Sequence, residues 1–512
     1  MNHEVTDPLA AAGLRFDNAF ARSLPADPVA LNRPRPVRDA AYTRVQPTPV
    51  ARPRLVGWSD DLGRTLGIGR PEAEGELAEV LGGNRLLPGM DPYAARYGGH
   101  QFGHWAGQLG DGRAITLGEL LAADGTRHEL QLKGAGRTPY SRTADGRAVL
   151  RSSLREFACS EAMHWLGVPT TRALSLVATG EPVVRDMFYD GRPREEPGAV
   201  VCRVAPSFLR FGNFQIFAAS GEVDTLRKLA AFVAENFYPE HRGVEEMFGE
   251  VCRRTALLMA DWMRLGFVHG VMNTDNMSVL GLTIDYGPYG WLEGYDLAWT
   301  PNTTDAEGRR YCYGNQPGIA QWNLARLGES LLPLGADPAR LEAALDAYSE
   351  TFSAAWRDAL AAKLGVAALD RPGDDALVTE LFEALQESET DFTLFFRNLA
   401  ALEFDALRPA FYDEAAERPM LKAWMEKYAR RVEGERGRAE RMAAANPKYV
   451  FRNYLAQLAI DALERGDAAP LERLLLVLRR PYDEQPGNED LAVRRPEWAR
   501  HRAGCSALSC SS

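Results

Sequence analysis

The sequence predicts an α+β protein of two lobes, preceded by an arm and followed by helical additions. Three observations carry that expectation. A glycine-rich stretch, residues 98–113, is followed by two strand-like runs, the second ending on Lys133. An amphipathic segment over residues 147–167 comes next and bears Glu156. Far downstream, residues 266–287 read GFVHGVMNTDNMSVLGLTIDYG and gather hard-oxygen side chains around a short loop.

The elements follow in order. Residues 1–85 are rich in Pro, Arg and Ala at their start and are expected to form an irregular arm with short helices, one in EAEGELAEVLGG, where apolar residues recur at helical spacing. Residues 86–220 form the first lobe. Within it AITLGEL and HELQLKG flank the turn AADGT as two strands. RAVLRSSLREFACSEAMHWLG reads as a helix stopped at Gly167, and ALSLVATG, EPVVRDMFY and AVVCRVA as a further β-rich portion. Residues 221–400 form the second lobe, with two helices between Asp224 and Arg264, the second leading into the loop at His269. SVLGLTI reads as a strand after that loop. Residues 401–512 extend the helical part and end in a polar tail expected to be loose except where Cys510 is held.

A glycine loop, a strand carrying a lysine, a helix carrying a glutamate and a His-x-x-x-x-x-x-Asn loop form the order of a two-lobed protein-kinase-like fold. Asn276 lies seven residues after His269, and Asp285-Tyr286-Gly287 stands where such loops carry Asp-Phe-Gly. The position two after His269 is Val271, which cannot accept a proton. The usual base is therefore missing while the metal-binding parts are present.

Each candidate residue has a chemical and a plain structural reading. Lys133 reaches nucleotide phosphates as a point charge or stands on an edge strand, and Glu156 is its ion-pair partner or an ordinary helix-face residue. Gly110, Gly112 and Arg113 cradle an anion or form a hairpin turn. Asp145 and Gly146 repeat the Asp-Gly pattern and read as a turn, with Asp145 capping the following helix. Arg203 and Arg210 flank APSFL and need anions: phosphate or acidic core residues both answer. Asn276 and Asp285 are hard ligands for a divalent cation shared with phosphates. Asp275 is the remaining carboxylate in the loop and the candidate general base, or else a turn residue. His100 and His104 have a zinc-like interval, but the glycines around them favour structural histidines.

Composition excludes several classes. Among 512 residues 46% are hydrophobic and 25% charged, which supports a packed core. A net charge of −11 argues against nucleic-acid binding. No apolar run approaches the ~18 residues of a membrane span, and the start lacks a secretory pattern, so a cytoplasmic protein is expected. Six cysteines without a Cys-x-x-Cys pair fit neither a disulfide scaffold nor a structural zinc site. P-loop, zincin and nucleophile-elbow motifs are missing.

The segments YGGHQFGHWAGQLGDGR, ELQLKGAGRTPYSRTADGRAVLRSSLREF, RVAPSFLRFG, GVMNTDNMSVLGLTIDYGPYG and NQPGIAQWNL resemble the selenoprotein O family from about Leu86 through Leu327. The resemblance implies a kinase-like fold and an Mg²⁺-dependent transfer of AMP from ATP to Ser, Thr or Tyr hydroxyls of proteins, with ATP flipped relative to kinases. Mn²⁺ is an equally acceptable ion. By motif it assigns nucleotide contacts to Gly110, Gly112, Arg113, Lys133, Asp145, Gly146, Arg203, Arg210 and Asp285, the proton acceptor to Asp275 and metal ligation to Asn276 and Asp285. It also sets Cys510 where many members carry selenocysteine; as an exposed terminal thiol, Cys510 pairs under oxidation with a body cysteine such as Cys312 or stays an unpaired tail cysteine. Two rivals stand beside this expectation: phosphoryl transfer with a displaced base, and a nucleotide-binding scaffold without activity. Substrate identity and oligomeric state are not legible.

Overall fold

The computed structural model describes residues 13–187 and 190–509. It is a mixed α/β structure built on one large antiparallel sheet. The strands are β1 (Arg15–Phe16), β2 (Tyr42–Arg44), β3 (Arg54–Trp58), β4 (Tyr93–Ala95), β5 (Gly98–Gln101), β6 (His104–Gln108), β7 (Ala114–Leu121), β8 (Arg127–Lys133), β9 (Ala148–Val149), β10 (Arg172–Arg185) and β11 (Arg194–Ala205). Nine of them form the sheet in the order β2-β4-β7-β8-β11-β10-β3, with β1 on β7 and β9 on β11. β5 and β6 make a separate hairpin.

The expected strand pair is β7 and β8, turned at Asp124-Gly125, where the Thr126 amide donates to the Asp124 carboxylate (2.9 Å). β8 lies between β7 and β11, so Lys133 ends an interior strand and not an edge. β10 takes in both ALSLVATG and EPVVR as one long strand with bulges, and Phe188 and Tyr189 lie outside the described residues.

The arm is more regular than its composition implies. β1, β2 and β3 all join the main sheet, and short helices α1 (Ala19–Ser23), α2 (Asp60–Leu66) and α3 (Glu76–Leu81) accompany them. Strands of two to five residues, interrupted by Pro and Arg, carry too few alternations to be read as strands; their partners in the sheet define them.

Helix α4 (Leu150–Trp165) packs on the sheet through Leu154, Phe157 and Ala158, all fully buried, and aims Glu156 at the end of β8. Val149 precedes it without a side-chain cap, so Asp145 does not have the capping role expected of it. α5 (Phe211–Ala219), α6 (Val223–Phe237) and α7 (Gly243–Leu265) follow. α7 ends on Gly266 in the left-handed region (φ 70°), and the chain enters β12 (Phe267–Val268), which pairs with β13 (Gly290–Trp291). This two-rung ladder closes the loop 269–289 into a fixed bay.

Ser278–Ile284, expected to be a strand, is not one. It makes isolated bridges, Ser278 with Arg210 and Thr283 with Thr170, and its amides bond elsewhere: Val279 to Leu209 O (3.1 Å) and Thr283 to Pro169 O (2.9 Å). Gly281 in the left-handed region (φ 69°) breaks the run between the two bridges.

The remainder is helical, as expected: α8 (Gln316–Leu331), α9 (Pro338–Lys363), α10 (Asp374–Glu387), α11 (Phe392–Asn398), α12 (Pro419–Arg431), α13 (Arg438–Ala445), α14 (Asn453–Glu464) and α15 (Ala469–Leu478). A buried Arg452–Asp391 pair (2.7 and 2.9 Å) ties α14 to α11. The tail is docked through Ser509, against expectation. Leu508 is fully buried and bridges Asn302, and Asn453 Nδ2 donates to the Cys505 carbonyl (3.0 Å). Its few apolar residues are sufficient anchors because each finds a prepared slot.

Candidate functional site

A cavity of about 700 Å³ lies between the central strands β7, β8 and β11 and the loop 269–289. Of the residues singled out in the sequence, Gly110, Gly112, Arg113, Lys133, Asp145, Gly146, Arg203, Asp275, Asn276 and Asp285 line it. Arg210 is buried behind the wall and reaches the site through Asp285.

Asp285 is the electrostatic centre. Both its oxygens are engaged, one by Arg203 and the other by Arg210. Burial alone would raise its carboxyl, but the Arg210, Arg203 and Lys133 charges hold it far below the usual carboxylate range. It is ionised at any working pH. Its backbone lies in the left-handed region (φ 59°), uncommon for a non-glycine residue and frequent where a side chain must be aimed. His269 helps to fix it: the imidazole stacks on Trp262 (5.3 Å) and its Nε2–H donates to the Ile284 carbonyl (2.8 Å).

A chain of pairs leads back to β8. Arg203 also meets Glu156 (2.9 Å) and donates to Gln131, and Glu156 meets the Lys133 ammonium (2.5 Å). The acidic-core alternative for the two arginines is thus realised in the free protein. Burial lowers the Lys133 ammonium, with Glu156 opposing.

Asp275 sits on a one-turn 3₁₀ helix, Thr274–Asn276, 7% exposed. Oδ2 accepts from Gln101 Nε2 (3.3 Å), while Oδ1 is buried with no hydrogen-bond partner among the described residues. An orphaned carboxylate oxygen in a cavity wall is costly unless something else uses it. Burial pushes its carboxyl up to about 6, against the pull of Arg210. The β5–β6 hairpin clamps this turn. The His100 amide donates to Thr274 Oγ1 (2.7 Å), the Phe102 amide to Asn273 Oδ1 (3.2 Å), and Gly99 is so close that a Cβ there would lie 2.4 Å from Asp275 Oδ1.

Asn276 Nδ2 donates to the Val271 carbonyl (2.8 Å), leaving its amide oxygen for the cavity. Among the described residues no three His, Cys, Asp or Glu side chains converge as a self-sufficient metal site. One carboxylate and one amide oxygen do fit a hard cation whose other ligands are water and phosphate oxygens.

The glycine-rich stretch divides in two. Its first part, residues 98–108, folds as the β5–β6 hairpin; its second, Gly110–Arg113, for which a hairpin turn was the alternative, lies outside that hairpin and borders the cavity. Asp145 is occupied by Arg185 (2.7 and 2.8 Å) and by the Arg147 amide (2.9 Å). Gly146 (φ 73°) is pressed against the Gly136 carbonyl, 2.1 Å from where a Cβ would stand. Arg113, Arg137 and Arg142 also line the cavity, and no carboxylate among the described residues pairs with them.

Gln101, Arg137, Arg142 and Arg185 were not singled out from the sequence. The signal for Gln101 was the GGHQFGHW hairpin, legible as a turn but not as a clamp on a loop 170 residues away. His100 packs against the Trp105 and Trp322 rings (5.1 and 5.5 Å) and joins no metal cluster among the described residues. Cys312 is buried, while Cys510, and with it the expected pairing, lies outside the described residues.

The family model described as "Protein adenylyltransferase SelO" matches residues 33–479. Similar proteins are named protein nucleotidyltransferase YdiU. That of Nitrosospira multiformis is 62% identical, covering 97% of this chain and 96% of the relative. Those of Xanthomonas campestris pv. campestris and Azoarcus sp. are each 58% identical, covering 98% of this chain and 99% of the relative.

Proposed function

The chain belongs to the SelO family of protein adenylyltransferases and is a nucleotidyltransferase enzyme, and from that premise we propose that it transfers AMP from ATP to Ser, Thr or Tyr hydroxyls of proteins. The observation that carries the reading is Asp275. It is a buried carboxylate with one orphaned oxygen, in a cavity shared with Asp285, Asn276 and Lys133. The architecture is read as kinase-like, with Lys133–Glu156 and Asp285 in the corresponding roles.

In this reading the acceptor oxygen attacks the α-phosphorus of ATP. The bond from that phosphorus to the bridging oxygen breaks, pyrophosphate leaves with the electron pair, and the hydroxyl proton passes to Asp275. ATP lies turned end for end relative to kinases, so that its α-phosphorus faces Asp275. That placement accounts for Val271, since a base two residues after His269 has no task there. Lys133, steadied by Glu156, holds phosphate oxygens, and Arg203 and Arg210 balance charge that develops during transfer. Gly110, Gly112, Arg113, Asp145 and Gly146 border the nucleotide. Asn276 and Asp285 would hold Mg²⁺ or Mn²⁺, which supplies charge neutralisation of the phosphate oxygens.

ATP labelled at the α or the γ position tests the reading. Label entering protein from α alone is expected. Label from γ alone would make the enzyme a kinase, and label from neither would leave a nucleotide-binding scaffold. The chain has no helix among the described residues long and apolar enough to cross a membrane.

A further inference from the structure

We infer that the outer face of the β5–β6 hairpin, with Arg310 and Trp322 beside it, holds the acceptor polypeptide by an acidic residue a few positions from the modified hydroxyl. The inference rests on the reading of Asp275 as the base on the acceptor side.

Arg310 carries the argument. Its side chain makes no ion pair among the described residues, it leans on the Tyr311 hydroxyl, and its Nε is shielded from solvent without a partner. The nearby Asp305 carboxylate is spent on backbone, accepting from the Arg310 amide (3.0 Å) and the Tyr311 amide (2.7 Å). The guanidinium is instead held by rings, 4.9 Å from the Trp322 centroid and 5.8 Å from that of Tyr311. Stacking and the Tyr311 hydroxyl fix its plane and leave its remaining N–H groups without a carboxylate among the described residues. The neighbouring Arg326 is already paired with Glu329 (2.6 Å).

The position relative to Asp275 is set by one hairpin. Gln101 touches the Asp275 carboxylate (3.3 Å), and at Gly103 a Cβ would lie 3.4 Å from the centre of the Arg310 guanidinium. Phe102 and Gly103, both in the left-handed region (φ 51° and 87°), make the tight turn between these two contacts, so Asp275 and Arg310 stand against one hairpin tip and an acceptor chain carrying its acidic side chain a few residues from the hydroxyl meets both. Trp105, 39% exposed on the same hairpin, packs on His100, which in turn meets the Trp322 ring under the arginine (5.1 and 5.5 Å). Tryptophan and arginine together form the usual energetic centre of a polypeptide-binding surface.

The test uses the full chain, α-labelled ATP with Mg²⁺, and synthetic peptides bearing one Tyr or Ser with either Glu or Lys two to four positions away. The wild type is expected to prefer the Glu peptides by roughly tenfold in kcat/KM, and Arg310→Glu to reverse that preference. Arg310→Gln, a milder change, is expected to abolish the preference, mainly through KM. Affinity for a nonhydrolysable ATP analogue is the control that both variants are folded. Equal use of Glu and Lys peptides by the wild type, or an unchanged preference in folded Arg310→Glu, overturns the inference alone. Absence of α-label in every peptide and protein overturns the reading of Asp275 and the inference with it.

Discussion

Asp275 is held in a state the protein would not choose for stability. Its carboxyl is pushed up from 3.8 to about 6 by burial. Stability from its protonated form is therefore present below about pH 4 and lost as pH rises through 6. The base works only when deprotonated, so AMP transfer is expected to fall off below pH 6, measured as the acid limb of the kcat/KM profile, which reports groups of the free enzyme. Asp275→Asn is expected to lower transfer by roughly 10²–10⁴-fold, the range for a lost general base, while melting at least as high as wild type at pH 8. Gln101 donates to the ionised form, so Gln101→Ala moves the acid limb upward, visible as a larger loss of rate at pH 6.5 than at pH 8. Asp285→Ala has the opposite stability sign. It leaves Arg203 and Arg210 buried without their shared carboxylate, at a cost of about 3–5 kcal/mol in urea unfolding, besides abolishing transfer.

At the scale of elements, the hairpin of β5 and β6 sets the position of the catalytic turn. Gly99→Ala puts a methyl 2.4 Å from Asp275 Oδ1 and must displace the turn. A fall in kcat of about 10²-fold with little change in nucleotide affinity is expected, since a shift near 1 Å has that effect on a positioned group. This hairpin also marks the limit of what the sequence discloses. Lys133, Glu156, His269, Asn276 and Asp285 were legible because their spacing follows local elements: a strand end, a helix face, a tight loop. The long helices were legible from period, and the β7–β8 pair from alternation about Asp124-Gly125. The clamp of Gln101 on Asp275 was not, because it joins residues 174 apart through tertiary packing. The same cause hid the strands of the arm and made Ser278–Ile284 look like a strand, since apolar content alone does not say which carbonyls its amides will meet.

The whole molecule ties its periphery to its centre. Arg155 on α4 stands next to Glu156 and has no carboxylate partner among the described residues; it donates to the Tyr289 carbonyl (2.8 Å) and lies over the Tyr289 ring (4.3 Å). Its weaker contact with Asn453 (3.4 Å) continues to the Cys505 carbonyl (3.0 Å). Deleting residues 499–512 removes that support and uncovers buried apolar side chains, so a lower melting temperature and weaker nucleotide binding are expected by calorimetry and titration. The cluster of Lys133, Arg203 and Arg210 has a different implication. With Glu156 and Asp285 already among them, these three cations keep a single net positive charge. The grip on a triphosphate is thus largely pre-neutralised, and long-range attraction falls to Arg113, Arg137 and Arg142 at the mouth. Capture speed should fade as ionic strength shortens their field, while residence, governed by the inner partners, should hardly respond.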